Sequence, residues 1–434
     1  MAAALVDPMP PVAPGSLPWV RSGIGLLRNP TAFFASTRES LGDTFYLEAF
    51  GYRMFCVFSP LGVKALYDLP EEEASFGLAT FRLVFENKLP LELVMGRRNR
   101  PHDLFGSGEV ERYLEVLEDA VDLELNELGG SGRFEIFEEA RRLGHRLGLA
   151  AWIGEEAASP ESLARLIPLF DQLDSAASFV RPIELFRTRL TNKAAERRAM
   201  AGIERHIGEI LAARSASGRE HDDFLAQIER SYAEVPDAER AVQVARDVIL
   251  IHLGAQSNLY AALAWTFVNL MLHPEYLEPI RDGDDALLER CANESIRLAQ
   301  RSLTLREVLK PIELTDETQT YQLEPGVLVA TMLSVTNTTA GPGLDSFDPN
   351  RYDGRRLARD VEVNGRERVS TFGHGRHSCP AQRFSISAIR IAIRRLLERY
   401  DFEPHFESAE PRARQLGAVA RAERACFVGY RRRG

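Results

Sequence analysis

The chain is poor in lysine and in cysteine. Lys64, Lys88, Lys193 and Lys310 are the only lysines among 53 basic residues, a skew that fits the codon bias of a GC-rich bacterial genome. Cys56, Cys291, Cys379 and Cys426 lie far apart and form no CxxC pair, which excludes a disulfide framework and a cysteine-built zinc site and suits a reducing compartment. A positive charge excess is missing too. With 63 acidic residues the formal net charge is −10, the wrong sign for a general nucleic-acid binder. Residues 1–18 have no basic segment and no long apolar run, only five prolines (Pro8, Pro10, Pro11, Pro14 and Pro18), so neither a signal peptide nor a membrane anchor is expected. The apolar stretch 248–272 is interrupted by His252, Gln256, Ser257, Asn258 and Asn269; it reads as a buried helix rather than a membrane span. The expectation is a cytoplasmic bacterial protein.

What is present is ordinary for a globular protein: 45% hydrophobic and 27% charged residues. No repeat or Gly/Ser linker divides the chain, so a Pro-rich segment over 1–20 and one domain over 21–434 are expected. The spacing predicts a helix over 31–40 and a hairpin of 44–47 with 54–58 around Phe50-Gly51-Tyr52. A 3.6-residue period then predicts helices over 110–127, 138–152, 160–175, 184–213 and 222–233. The longest helix is expected over Asp237–Leu272, framed by Pro236 and Pro274, and would span about 50 Å. Short strands are expected at 321–323 and 328–331 around Glu324-Pro325-Gly326, and a last helix just after Cys379. The fold class is mainly α with small β-sheets.

The segment from Ser370 to Phe384 contains Phe372-Gly373-His374-Gly375-Arg376-His377-Ser378-Cys379-Pro380-Ala381. Its glycines permit tight turns, and the apolar periodicity after Pro380 predicts a helix beginning next to Cys379. A helix N-terminus stabilises a thiolate, the form required of a nucleophile or of an axial ligand to haem iron. A buried structural cysteine after a glycine turn is the other reading.

Phe372-Gly373-x-Gly375-x-His377-x-Cys379 resembles the haem-thiolate signature of the cytochrome P-450 family. Ala381 stands where the family has a glycine, one methyl larger against the porphyrin. Glu294-Ser295-Ile296-Arg297 is similar to the family's ExxR helix motif, and Phe347-Asp348-Pro349-Asn350-Arg351-Tyr352 to its PERF segment. Pro14-Gly15-Ser16-Leu17-Pro18 and Gly42-Asp43-Thr44-Phe45 are also typical, so the resemblance covers nearly the whole chain. It implies a single haem-enclosing domain of the cytochrome P-450 fold, haem b ligated by Cys379, and a buried ion-pair network of Glu294, Arg297 and Arg351. Phe372, Gly373, Gly375, Ala381 and Ala255 would line the haem. His377, Arg306 and the cluster Arg97-Arg98-Asn99-Arg100-Pro101-His102, chiefly Arg98 and His102, would hold its propionates, since the usual WxxxR is absent.

In the family the longest helix carries an acid and a threonine that deliver protons at the distal haem face. Here the sequence is Gly254-Ala255-Gln256-Ser257-Asn258, so Gln256, Ser257 and Asn258 become the candidate catalytic residues. The pattern resembles the sterol 7-hydroxylase and prostacyclin synthase branches, and Cys426-Phe427-Val428-Gly429-Tyr430-Arg431-Arg432 is similar to bacterial sterol 14-demethylases. The resemblance implies a monooxygenase acting with O2 on a hydrophobic steroid, terpenoid or fatty-acid-derived molecule. It also implies an electron donor of ferredoxin or flavodoxin type, for which Arg383, Arg390 and Arg394, sharing one helix face, form a candidate docking surface. A peroxide-using enzyme, an isomerase or lyase, and a non-catalytic haem or lipid binder are the alternatives.

Overall fold

A computed structural model describes residues 9–15, 17–97, 104–174, 187–353, 357 and 362–434. Where one domain is expected after residue 20, the chain packs as two compact units, neither continuous in sequence. The first unit is built from Met1–Leu83, Arg297–Ser378 and Arg412–Ala420, the second from Val84–Ile296, Cys379–Pro411 and Arg421–Gly434.

In the first unit, Phe50 (φ 53°) and Gly51 (φ 84°) both take the left-handed conformation, which suits a two-residue turn matched to strand twist. Thr44–Ala49 accordingly pairs antiparallel with Tyr52–Val57. This hairpin is the edge of a five-stranded sheet whose order continues through Leu328–Met332 and Leu303–Val308 to Ala74–Ser75. The pairing of Met54 with Leu328 and of Cys56 with Ala330 is parallel, while Leu303–Val308 runs antiparallel to both its neighbours. The helix Pro60–Asp68, capped by the Ser59 hydroxyl, lays Val63 and Leu66 on Phe55, Val57, Val308 and Val329 to make this unit's core. The strands Thr320–Leu323 and Leu328–Met332, read from the sequence around one turn, do not pair with each other. Thr320–Leu323 instead pairs with Ile312–Thr315.

The second unit is organised by the long helix, Asp237–Leu272, whose bounds are those expected from its flanking prolines. Asp237 and Glu239 in its first turn complement the helix dipole. It is long and apolar enough to cross a membrane but is mostly buried in this unit. Ile136–Trp152 crosses it closely because glycines stand at the contact: a Cβ on Gly144 would lie 2.9 Å from the Tyr260 Cβ, and one on Gly148 would lie 2.9 Å from the His252 ring. Around this pair stand Pro160–Leu173, Ala194–Ser217, Phe224–Ser231 and Gln382–Arg399, with a three-stranded sheet ordered Ser131–Glu135, Phe427–Arg432, Tyr400–Pro404.

Two helix expectations are corrected. Residues 110–127 are not one helix but parts of two, Ser107–Glu115 and Leu117–Leu128, offset at Val116. Of 184–213, residues 184–186 lie outside the described part; left-handed Asn192 and Lys193 interrupt the remainder, and the regular helix is Ala194–Ser217.

Helices Leu117–Leu128 and Ile136–Trp152 also share buried charge. Arg146, fully buried, places Nε 2.6 Å from Glu124 and Nη2 2.5 Å from Glu127. Arg142 pairs with the same two carboxylates. Beside them, burial and then the Glu124 carboxylate push the Glu139 carboxyl well above the usual range.

Candidate active site

Ser370 starts the cysteine segment from a fixed point. Its backbone N–H donates to Asn337 Oδ1 (2.7 Å), its C=O accepts from Asn337 Nδ2 (3.0 Å), and its hydroxyl accepts the Gly373 N–H at 2.9 Å. Gly373 must be glycine: its φ is +80°, and a Cβ would lie 2.4 Å from the His377 carbonyl oxygen. Gly375, at φ +58°, opens the short 3-10 turn Gly375–His377. His374 donates from Nε2 to Val369 O (2.9 Å) and meets the Tyr67 ring edge-on. His377 lies against Phe76, 5.6 Å between ring centres. Phe372 is half-buried.

The chain enters the second unit at Cys379, two residues before Ala381, the N-cap of helix Gln382–Arg399. The Cys379 carbonyl accepts the Gln382 N–H at 3.3 Å, and the Ala381 carbonyl accepts the Ser385 N–H at 2.8 Å, so the cysteine leads into the first turn as expected. Cys56, Cys291 and Cys426 are buried; Cys379 is exposed. Crowding by protein pushes the Cys379 thiol up, and a backbone bond from Ala381 pulls it down. One amide donor does not offset the desolvation. A bound cation would, because a metal ligand must be the thiolate.

Glu294 and Arg297 stand one turn apart on helix Asp285–Ala299 and are fully buried. In the first unit, Arg297 donates from Nη1 to Asn337 O and Leu344 O, both at 2.6 Å, and from Nη2 to Ser346 O at 3.5 Å. Arg351 donates to the same Ser346 carbonyl (3.1 Å) and to Gly343 O (2.6 Å). It is half-buried rather than buried. Asn337, not singled out from the sequence, completes this lattice: its Nδ2 also donates to Arg297 O at 3.0 Å. One buried side chain thus joins the ExxR arginine to the start of the cysteine segment. The only signal for it was an amide in the apolar run before Thr338.

On the long helix, Gly254 and Asn258 are exposed in the middle of an otherwise mostly buried element, and a Cβ on Gly254 would meet nothing within 4 Å. Ala255 is half-buried. Ser257 and Gln256 are buried, and Gln256 Nε2 donates to Phe170 O at 3.4 Å. Gln256, expected to serve with Asn258, thus has its side chain on the packed face of the helix, whereas Asn258 is on the exposed one.

Residues 242–427, which include the long helix, the ExxR helix and the cysteine, match the family Cytochrome P-450. The chain is 22% identical to mouse (Mus musculus) 24-hydroxycholesterol 7-alpha-hydroxylase, over 98% of its own length and 93% of the enzyme's. It is 21% identical to the human (Homo sapiens) enzyme over 98% and 94%. A cytochrome P-450 monooxygenase of Nectria, ntnM, is 24% identical over 57% of this chain and 47% of its own. Together these similarities support membership of the cytochrome P-450 family. The chain is a monooxygenase, an oxidoreductase, with the P-450 fold.

A P-450 implies a haem-thiolate centre, and the residues fit one: an exposed thiol two residues ahead of a helix cap, and a helix face kept open by Gly254. Cys379 would hold the iron, while Gly254, Ala255 and Asn258 would border the group. When bound, haem supplies the oxygen chemistry. The chain's own part is to bind it, orient substrate, keep water out and bring protons to the Asn258 face.

The expected propionate residues fare unequally. Arg306 is 2% exposed, and its guanidinium donates to the carbonyls of Leu69 (2.6 Å), Ala74 and Tyr67 (both 3.1 Å). These bonds tie its strand to Tyr67, Leu69 and Ala74. Arg97 bonds Gln243 and approaches Asp247 at 3.7 Å. Arg98 and His102 lie outside the described residues. His377 stays half-buried beside Phe76.

The proposed docking arginines are not free charges. Arg383 pairs with Glu111 at 2.7 Å, Arg390 with Asp285 at 3.0 Å, and Arg394 with Asp285 and Glu398. Neighbouring acids offset this face, which weakens it as a receptor for an acidic partner.

Proposed function

We propose that this P-450 hydroxylates a large, mostly apolar lipid of the steroid, terpenoid or fatty-acid-derived class. It carries haem b, works in the cytoplasm, and takes electrons from a ferredoxin- or flavodoxin-type donor. The substrate class rests on the whole-length similarity to 24-hydroxycholesterol 7-alpha-hydroxylases and on Asn258, an amide at the open point of the long helix. An amide can hold a substrate oxygen or a water through both donor and acceptor but does not ionise. The observation carrying the reading is the pair formed by an exposed Cys379 and the open Gly254–Asn258 face.

The test is spectral. Purified ferric protein titrated with sterols, terpenoids and fatty acids should shift its Soret band for one class, and the product of that ligand should carry one added oxygen. The reduced carbonyl complex should absorb with the red shift of a thiolate ligand, and Cys379→Ser should abolish that shift. Retention of the shift in Cys379→Ser would remove the cysteine from the iron. A second reading, a peroxide-driven or isomerising enzyme, is favoured by the lack of an ionisable side chain at Ser257 and Asn258. Turnover with peroxide and no reductant would select it.

A further inference from the structure

Between Val248 and Leu272 the long helix carries two titratable side chains, His252 and Tyr260. Burial pushes the Tyr260 phenol far above its usual range, so at neutral pH His252 is the group on this stretch that can exchange a proton. It is 1% exposed, yet a line of polar groups runs from it toward the surface. His252 Nε2 and His145 Nδ1 are within hydrogen-bond distance at 3.0 Å, and His145 Nε2, buried and without a hydrogen-bond partner among the described residues, faces Asp171 Oδ1 across 3.5 Å. The Asp171 side chain is 43% exposed.

The inner end of this chain is unfinished. His252 Nδ1, Trp152 Nε1 and Gln256 Oε1 are buried without a hydrogen-bond partner among the described residues. His252 Nδ1 and Trp152 Nε1 both border Gly148, 2.9 and 3.2 Å from where its Cβ would stand. Phe170 packs its ring tilted against His252, 4.2 Å between centres, and gives its carbonyl to Gln256, which puts the histidine and the amide on one packed face. Neighbouring buried polar atoms without partners mark sites that water completes.

The helix then carries the polar path round itself. At about 100° per residue, Gln256, Ser257 and Asn258 stand roughly 40°, 140° and 240° from His252. Three consecutive polar residues therefore lead from the packed face to the open one, through an otherwise apolar stretch.

We propose that Asp171, His145 and His252 form a proton relay that feeds the Gln256-Ser257-Asn258 path, replacing an ionisable side chain at the open face. The proposal deepens the monooxygenase reading and rests on it. For each proton taken up by His145 Nε2 from Asp171, one passes from His145 Nδ1 to His252 Nε2 and one leaves His252 Nδ1; no electrons move. Burial, and then the charge of His145, hold His252 well below the usual imidazole range. The charged groups facing it are Asp171 and its partner Arg141 (2.7 Å), with Glu138 bonded to Arg141; Asp174 lies beyond, near Tyr260. His145, His252 and Asp171 are positioning residues, since they act through water and Ser257.

Two readouts test this on the holoprotein. In the diamagnetic ferrous carbonyl form, nitrogen-15 NMR of the imidazoles should show one N–H shared by His145 and His252, and its exchange with solvent should slow at least ten-fold in Asp171→Asn, a surface change that leaves the fold intact. In air, with NADPH, a plant-type ferredoxin and its reductase but no added substrate, each peroxide formed takes up two protons. NADPH oxidation should fall at least three-fold in Asp171→Asn and in His252→Gln, with an altered solvent isotope effect and pH profile. Unchanged exchange in Asp171→Asn overturns the relay, as does slowed exchange with unaltered isotope effects in both variants. The exchange measurement needs no turnover, so a wild type that never oxidises NADPH counts against the monooxygenase reading alone.

Discussion

The protein buries charge in two different ways. In the first unit, Arg297 and Arg306 direct their guanidinium groups onto backbone carbonyls: Asn337, Leu344 and Ser346 for one, Tyr67, Leu69 and Ala74 for the other. In the second unit, Arg146 and Arg142 face the carboxylates Glu124 and Glu127, with Glu139 crowded beside them. A carbonyl cannot lose or gain a proton at ordinary pH, so the first arrangement is indifferent to acidity and fixes backbone in place. The second depends on how many of three carboxyls are ionised. Geometry is held where the cysteine segment begins.

The largest break is expected at Arg297. Arg297→Met strands two short carbonyl acceptors in a fully buried site, at about 1–3 kcal/mol for each. The variant should lose haem and unfold at markedly lower urea concentration; normal haem content and midpoint would contradict the brace. Next comes Arg306→Met, which leaves three carbonyls unsatisfied and should cost about 1–3 kcal/mol. Because these carbonyls hold its guanidinium, haem retained per folded molecule should match wild type, and selective haem loss would show the propionate role.

Glu139→Gln tests the other arrangement and should stabilise. The folded-state pKa of Glu139 is raised, so its stabilising contribution is complete below the ordinary carboxylate range and is lost as pH rises toward the raised value. Glutamine keeps the shape without the titration. The melting temperatures of variant and wild type should therefore coincide near pH 4 and separate in the variant's favour by pH 9, by on the order of 1 kcal/mol or more. Equal separation at all pH values would show that Glu139 does not titrate in this range. The smallest effect belongs to Arg394→Gln on the exposed face, at most about 0.5 kcal/mol and vanishing in 1 M salt.

The sequence made these regions unequally legible. Motif residues such as Glu294, Arg297 and Cys379 are readable because covalent spacing carries the signal, and Asp237–Leu272 because prolines mark both ends. Carbonyl partners have no side-chain signature, so the bonds of Arg306 to Tyr67, Leu69 and Ala74 and the part played by Asn337 were invisible. The strand Leu303–Val308 is marked only by its place after the ExxR motif: its partners are remote, and its charged Arg306 and Glu307 interrupt the apolar pattern of a buried strand. The break at Val116 lies between two helices that share one apolar period, which periodicity alone cannot divide. A motif gives the order of Gln256 and Asn258 along the helix, while the angle around it decides that one is buried and the other exposed.

The parallel pairing of Met54–Cys56 with Leu328–Ala330 has a consequence for how the protein is made. During synthesis, the strand holding Met54 leaves the ribosome roughly 270 residues before its partner, an interval of about 14–55 s at 5–20 residues per second. Throughout that time the hairpin shows the nascent-chain environment an unpaired edge carrying Met54, Phe55 and Val57. Such an edge is a template for wrong strand addition. Yield in a cell should therefore depend on chaperone capacity during elongation more than on the stability of the finished enzyme.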